Sequence, residues 1–248
     1  VDDELQRRQS VEIDFWRDSP SEGPGSDPLG TMMLKIGEAR WLVRKLERYR
    51  DEFARAGTIL ELGGGQGWAS CIVKHRFPES TVIASDISPW AVESAPTWER
   101  LFDVTLDRTL ACKSSEIPLE DGSVDVVFCF QAAHHFVEHE ATLREARRIL
   151  APGGVCLFLH EPSCPRYLYR AATWRANRLR PAVPEDVLVA PELVALAERV
   201  GFAASVSYDA TPVNREPVET LYFLMLSKLS FLTRFVPCTA DYVFRKRG

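Results

Sequence analysis

The stretch Thr58 to Ser70 reads TILELGGGQGWAS: an apolar run, an acid at Glu61, glycines at 63, 64, 65 and 67, then residues that open a helix. An apolar strand that breaks at once into glycines and then a helix is the first half of a β-α-β unit. Its glycines let a ligand approach the backbone where an open α/β sheet forms its crevice. The same alternation continues through STVIASDIS, VDVVFCF and GGVCLFLHE, the last two separated by the helical HEATLREARRIL. Strands this uniformly apolar are covered on both faces, which predicts a mostly parallel sheet flanked by helices, a doubly wound α/β domain. Further on, APELVALAERVGF has helical periodicity ending at Gly201, and AASVSYDA and DYVFRK read as late strands, the last placed as an antiparallel edge.

Before the glycine unit, a short helix is predicted over Asp2 to Trp16 and a firmer one from about Met33 to Phe53, joined by the turn-rich DSPSEGPGSDPLG. This divides the chain into an N-terminal helical extension or lid, residues 1–57, and a single α/β domain, residues 58–248, with helical inserts at about 163–182 and 215–237. A net charge of -5 gives no overall attraction to nucleic acid or to an anionic membrane, so neither is expected as a partner. The longest apolar stretch, Leu221 to Val236, is interrupted by Lys228 and Arg234 and falls short of the roughly 20 residues a membrane span needs. The charged start VDDELQRRQS lacks the apolar core of a secretory signal. Six scattered cysteines without a C-x-x-C pair predict reduced thiols in a cytoplasmic protein, with neither a disulfide framework nor a zinc site.

Three kinds of ligand compete for the glycine loop. A phosphate loop requires Lys and Ser/Thr after its last glycine, and neither follows Gly67. A dinucleotide fingerprint starting at Gly63 would place its third glycine at position 68, which is Trp68. What remains is E-x-G-x-G-x-G, formed by Glu61, Gly63, Gly65 and Gly67, and it resembles motif I of the class I S-adenosylmethionine-dependent methyltransferases. Three later stretches extend the resemblance: ASDIS with Asp86, SSEIPLEDGSVDVVFCFQAAHHF, and LREARRILAPGGVCLF. It runs from about Ile59 to Glu161.

The resemblance implies a seven-stranded Rossmann-like sheet and S-adenosyl-L-methionine as cofactor. It assigns Glu61, Gly63, Gly65 and Gly67 to the methionine moiety, Asp86 to the ribose hydroxyls, Ile87 to an apolar cover for adenine, and Gln131 to the border of the methionine and sulfonium. Many relatives carry an Asp for the adenine amine where this chain has Lys113, so Ser114 or Ser115 is expected to serve that edge instead.

The acceptor side is read from residues beyond the fourth expected strand. His134 and His135 lie where that strand opens to the crevice, and an imidazole titrates near working pH, so both are candidate bases, with His135 favoured. Paired histidines also occur here in relatives of diverse chemistry. Glu161, at another strand end, is a candidate to orient or deprotonate substrate. The segment FQAAHH does not match the [DNS]-P-P-[YFW] loop of many amide and adenine N-methyltransferases, and the single acid in LHEPS argues for no metal. Five arginines between Arg166 and Arg180 alternate with aromatic residues, and on a helix Arg170, Trp174 and Arg178 would share a face suited to an anionic acceptor. FWRDSPSEGPGSDPLG and Trp41 belong to the region that often forms a lid in the family. The expectation is an enzyme, monomeric or homodimeric, that methylates a small molecule, with oxygen ahead of nitrogen or carbon. A nicotinamide-dependent oxidoreductase is disfavoured by Trp68, and a cofactor-binding protein without turnover is the other reading.

Overall fold

The structure is a computed structural model that describes residues 2–20, 22–23, 28–179, 183, 185–213 and 215–247. Three helices come first, α1 (Asp2–Asp18), α2 (Pro28–Arg48) and α3 (Arg50–Arg55). The alternating part follows as β1 (Thr58–Leu62), α4 (Trp68–Arg76), β2 (Thr81–Asp86), the short α5 (Pro89–Val92), α6 (Ala95–Phe102), β3 (Arg108–Ala111), β4 (Val124–Phe130), α7 (His139–Ile149) and β5 (Leu150–Ser163). After β5 come α8 (Tyr169–Leu179), α9 (Ala190–Val200), β6 (Phe202–Asp209), α10 (Pro217–Lys228) and β7 (Cys238–Lys246).

The continuous apolar strands divide their side chains between two layers, as a pleat requires. On β4, Val126, Phe128 and Phe130 enter the core shared with Leu42 and Leu46 of α2, Cys71 of α4 and Trp98 of α6. Val127 and Cys129 enter the opposite core, with Leu143 of α7 and Leu193 of α9. Leu157 and Phe158 of β5 split in the same way. A strand sandwiched between two helical layers has no solvent face on which to alternate, which is why β4 and β5 read as unbroken hydrophobic runs.

The seven strands lie in the order β3-β2-β1-β4-β5-β7-β6. The first five are parallel to their neighbours, while β7 pairs antiparallel with both β5 and β6. The antiparallel departure is confined to that edge, where the last strand slots in beside β5 and leaves β6 outermost. From β1 the chain builds outward through β2 and β3, then returns to lay β4 on the other side of β1, in register Ile59↔Val126. Their carboxyl ends therefore diverge at a topological switch point, which opens a crevice without any further device.

Two ion pairs of one lysine help to fix α2 to this sheet. Lys45 of α2 is buried and pairs with Asp209 at 2.6 Å and with the fully buried Asp241 at 2.7 Å. Asp241 also accepts the His160 amide at 2.9 Å. Among the described residues no helix is long and apolar enough to cross a membrane.

Candidate active site

A cavity of about 570 Å³ opens at the carboxyl ends of β1, β2 and β4, and Glu12, Phe15 and Trp16 of α1 lie along its wall. Its floor is the glycine loop. Gly63 and Gly65 have φ of 63° and 54°, the left-handed region that favours glycine. A Cβ on Gly63 would lie 2.9 Å from that of Ala132, and one on Gly65 would lie 2.8 Å from the Trp16 ring. Beneath the loop, buried Glu61 accepts a hydrogen bond from the Ser70 hydroxyl. Burial pushes its carboxyl up to about 7. Asp86 closes the end of β2 and accepts the amides of Gly65 and Ser88, each at 2.8 Å, and burial pushes it up to about 6.

Ile87, Ser114 and Ser115 line the same cavity, beside Lys113 and Thr142, and the Ser114 and Thr142 hydroxyls share a hydrogen bond of 2.8 Å. Gln131, just past β4, turns through φ 52° into the cavity, and its side-chain amide nitrogen is buried without a hydrogen-bond partner among the described residues. Such a donor calls for an acceptor from a ligand.

Gly67 does not belong to this lining. It begins α4 at φ 80°, and a Cβ there would meet Ala95 at 3.4 Å and Leu106 at 3.5 Å. Its glycine serves the turn into the helix and the packing behind it.

The other half of the cavity is built on the 3₁₀ turn Ala133–His135. Glu161 lies beneath this turn, fully buried, and accepts the amides of Ala132 at 2.9 Å and Ala133 at 3.0 Å, together with the His134 ring Nδ1 at 2.8 Å. Its carboxylate is thus engaged by the turn and by the His134 ring, behind the residues that line the cavity. His134 and His135 both line the cavity with ring centroids 4.2 Å apart. His135 Nδ1 lies 3.7 Å from a carboxylate oxygen of Glu12, whose pKa is pushed up to about 7, first by burial and then by the charge of Asp86.

Glu185 reaches the same corner from the segment before α9. Asn177 of α8 grips its backbone from both sides, donating to its carbonyl at 2.7 Å and accepting its amide at 3.0 Å. The next amide, that of Asp186, donates to the His134 carbonyl at 3.3 Å.

Neither Glu12 nor Glu185 stood out in the sequence. Glu12, Phe15 and Trp16 fall on one helical face at i, i+3 and i+4, a signal that could have marked them as a group. Nothing local distinguishes Glu185.

Arg170, Trp174 and Arg178 share a face of α8 as their spacing predicts, with the Arg178 guanidinium 5.2 Å from the Trp174 ring centre. They form a separate, shallow surface with Tyr169, Thr173 and Asn177, and none of them lines the cavity. Trp174 is 62% exposed and Arg170 and Arg178 are exposed too, whereas Asn177 of the same helix reaches the Glu185 backbone. Arg180 lies outside the described residues, as does part of the turn-rich connection after α1. Trp41 stacks on His160 at 4.4 Å and donates its indole N–H to the Val213 carbonyl at 3.0 Å, away from the cavity.

A doubly wound sheet with an inserted antiparallel β7, a lysine-free glycine loop after β1 and an acid closing β2 is the architecture of a methyltransferase domain. A family model described as a methyltransferase domain matches residues 60–158. It is 28% identical to a demethylmenaquinone methyltransferase of Thermus thermophilus over 58% of this chain and 64% of that one. It is 31% identical to a malonyl-[acyl-carrier protein] O-methyltransferase of Hahella chejuensis over 39% of this chain and 33% of the other. The chain thus spans less than two thirds of the length of these curated relatives. Among solved structures, a geranyl diphosphate C-methyltransferase of Streptomyces coelicolor superposes with a TM-score of 0.70, covering 96% of this chain and 98% of that one at 14% identity, a likeness of fold.

Proposed function

We propose that this chain binds S-adenosylmethionine in the 570 Å³ cavity and directs its methyl group to a small-molecule acceptor, with oxygen as the preferred nucleophile and nitrogen or carbon as the alternative. One observation carries this reading: a single cavity joins the glycine loop and Asp86 to the His134, His135 and Glu12 corner. Gly63 and Gly65 leave room for close backbone approach, Asp86 suits ribose hydroxyls, and Ser114 and Ser115 offer hydroxyls at the adenine edge. The Gln131 amide supplies a buried donor that no group among the described residues answers.

The cofactor supplies an electrophilic methyl on a sulfonium. The chain's share of the work is alignment and exclusion of water. Phe130, Phe136 and Trp68 give the cavity apolar walls, and Phe15 and Trp16 of α1 act as a lid over the loop. For a hydroxyl acceptor, His135 is placed to take the proton with Glu12 behind it, while Glu161 holds the neighbouring His134 in one orientation. The six cysteines are all unpaired thiols, which suits the reducing environment of the cytoplasm.

The test is calorimetric titration of the purified chain with S-adenosylmethionine, S-adenosylhomocysteine and NADH, alongside Asp86→Ala, followed by mass spectrometry of hydroxylated, amino and activated-carbon acceptors. Micromolar binding of the first two ligands that is lost in the variant, with a methyl gained by an acceptor, supports the reading. Binding of NADH alone overturns it.

A further inference from the structure

One corner of the cavity gathers two imidazoles and a carboxylate from two separate parts of the chain. One ligand-type atom each from His134, His135 and Glu185 lies within 4.8 Å of the others. We propose that these three residues form a binding site for a divalent first-row transition metal, facing the acceptor end of the cavity.

Three features of the geometry point there. First, Glu161 accepts from His134 Nδ1 at 2.8 Å, so the neutral ring carries its lone pair on Nε2. A buried carboxylate behind a histidine, fixing tautomer and ring angle, is the arrangement that supports metal-ligating imidazoles. Second, the carboxylate is delivered by a braced segment. Asn177 holds the Glu185 backbone by two hydrogen bonds and the Asp186 amide ties that segment to the His134 carbonyl, so two segments some fifty residues apart in sequence are locked together. Third, the spacing is close to what an ion needs. Ligands at about 2.1 Å from one ion sit no more than about 4.2 Å apart, so small side-chain rotations would close the set.

Two imidazole nitrogens and one carboxylate favour iron, cobalt, nickel or zinc over magnesium or calcium, and three protein ligands leave coordination positions open. Because all three residues line the cavity, open positions there would suit an acceptor with two neighbouring oxygen atoms, such as a hydroxy acid or a vicinal diol. Glu12, 3.7 Å from His135, borders the site as a further carboxylate, and with His135 ligating the ion it replaces that imidazole as the base for a hydroxyl acceptor. The binding of the ion rests on this geometry alone, and only its use to hold the acceptor rests on the function proposed above.

The test strips the full chain with a chelator and titrates Co²⁺ by its visible absorption, with metal content counted by mass spectrometry. The wild type is compared with His135→Gln and Glu185→Gln, and S-adenosylhomocysteine binding is measured in all three. The expected result is one Co²⁺ per chain, at least about 10-fold weaker in each variant, with S-adenosylhomocysteine affinity held within about threefold as the sign of an intact fold. Failure of the wild type to bind Co²⁺, or equal binding in both variants, overturns the proposal. So does Mg²⁺ competing with equal affinity. Loss of S-adenosylhomocysteine binding with Co²⁺ binding intact would instead count against the function proposed above and leave the metal site standing.

Discussion

His134 and Glu161 are joined by a 2.8 Å hydrogen bond from the ring Nδ1 to a carboxylate that also receives the Ala132 and Ala133 amides. One buried side chain at the end of β5 thereby sets both the turn after β4 and the angle of an imidazole on the cavity wall.

Glu161→Gln places an amide N–H₂ where several donors converge. At least one of them loses its acceptor, which costs about 1–3 kcal/mol for a buried group. Urea denaturation is expected to show that loss. Turnover should fall further than S-adenosylhomocysteine affinity, because the glycine loop and Asp86 are untouched.

The glycines separate into two kinds. Gly67→Ala forces a side chain to φ 80° inside well-packed surroundings and is expected to lower stability by about 1–3 kcal/mol with cofactor affinity little changed. Gly65→Ala adds the same backbone strain and also pushes against Trp16, so it is expected to weaken cofactor binding as well. Denaturation and calorimetry on the two variants separate these outcomes.

Buried Glu61 and Asp86 have carboxyls raised to about 7 and about 6. A carboxyl with a higher pKa folded than unfolded binds more protons in the folded state, so the stability it contributes is present below its unfolded pKa and is lost as pH rises through the folded value. The chain without cofactor is therefore expected to lose the stability these two groups contribute between about pH 4 and 7, and the charge of Asp86 also raises Glu12. A cationic cofactor offsets that repulsion. Urea unfolding at pH 5 and pH 8 should show greater stabilisation by S-adenosylmethionine at the higher pH, and an equal effect at both would contradict this account.

Arg170→Glu and Arg178→Glu reverse charge on a solvated face outside the cavity. Neither is expected to change cofactor or acceptor affinity by more than about twofold, the scale of an exposed charge that makes little net contribution. Asn177→Ala, from the same helix, is expected to impair turnover because it releases Glu185. Kinetics on the three variants, with the split between kcat and KM, test the contrast.

What the sequence determined by itself was everything carried by local pattern. The unbroken apolar runs at β4 and β5, the glycines after β1 and the acid closing β2 each reflect a constraint acting within a few residues, and together they specified the doubly wound sheet and the floor of the cavity. Even there, β3 went unread, because only Leu110 of its four residues is buried and it carries no hydrophobic signature. Tertiary packing decided the rest. It inserted β7 between β5 and β6, turned the arginines of α8 outward, and moved Glu161 behind the wall that His134 lines. It also brought Glu12 and Glu185 to the two histidines from segments more than a hundred residues apart. Such meetings depend on how helices bury their apolar faces against the sheet, and no periodicity within either segment encodes the other's position.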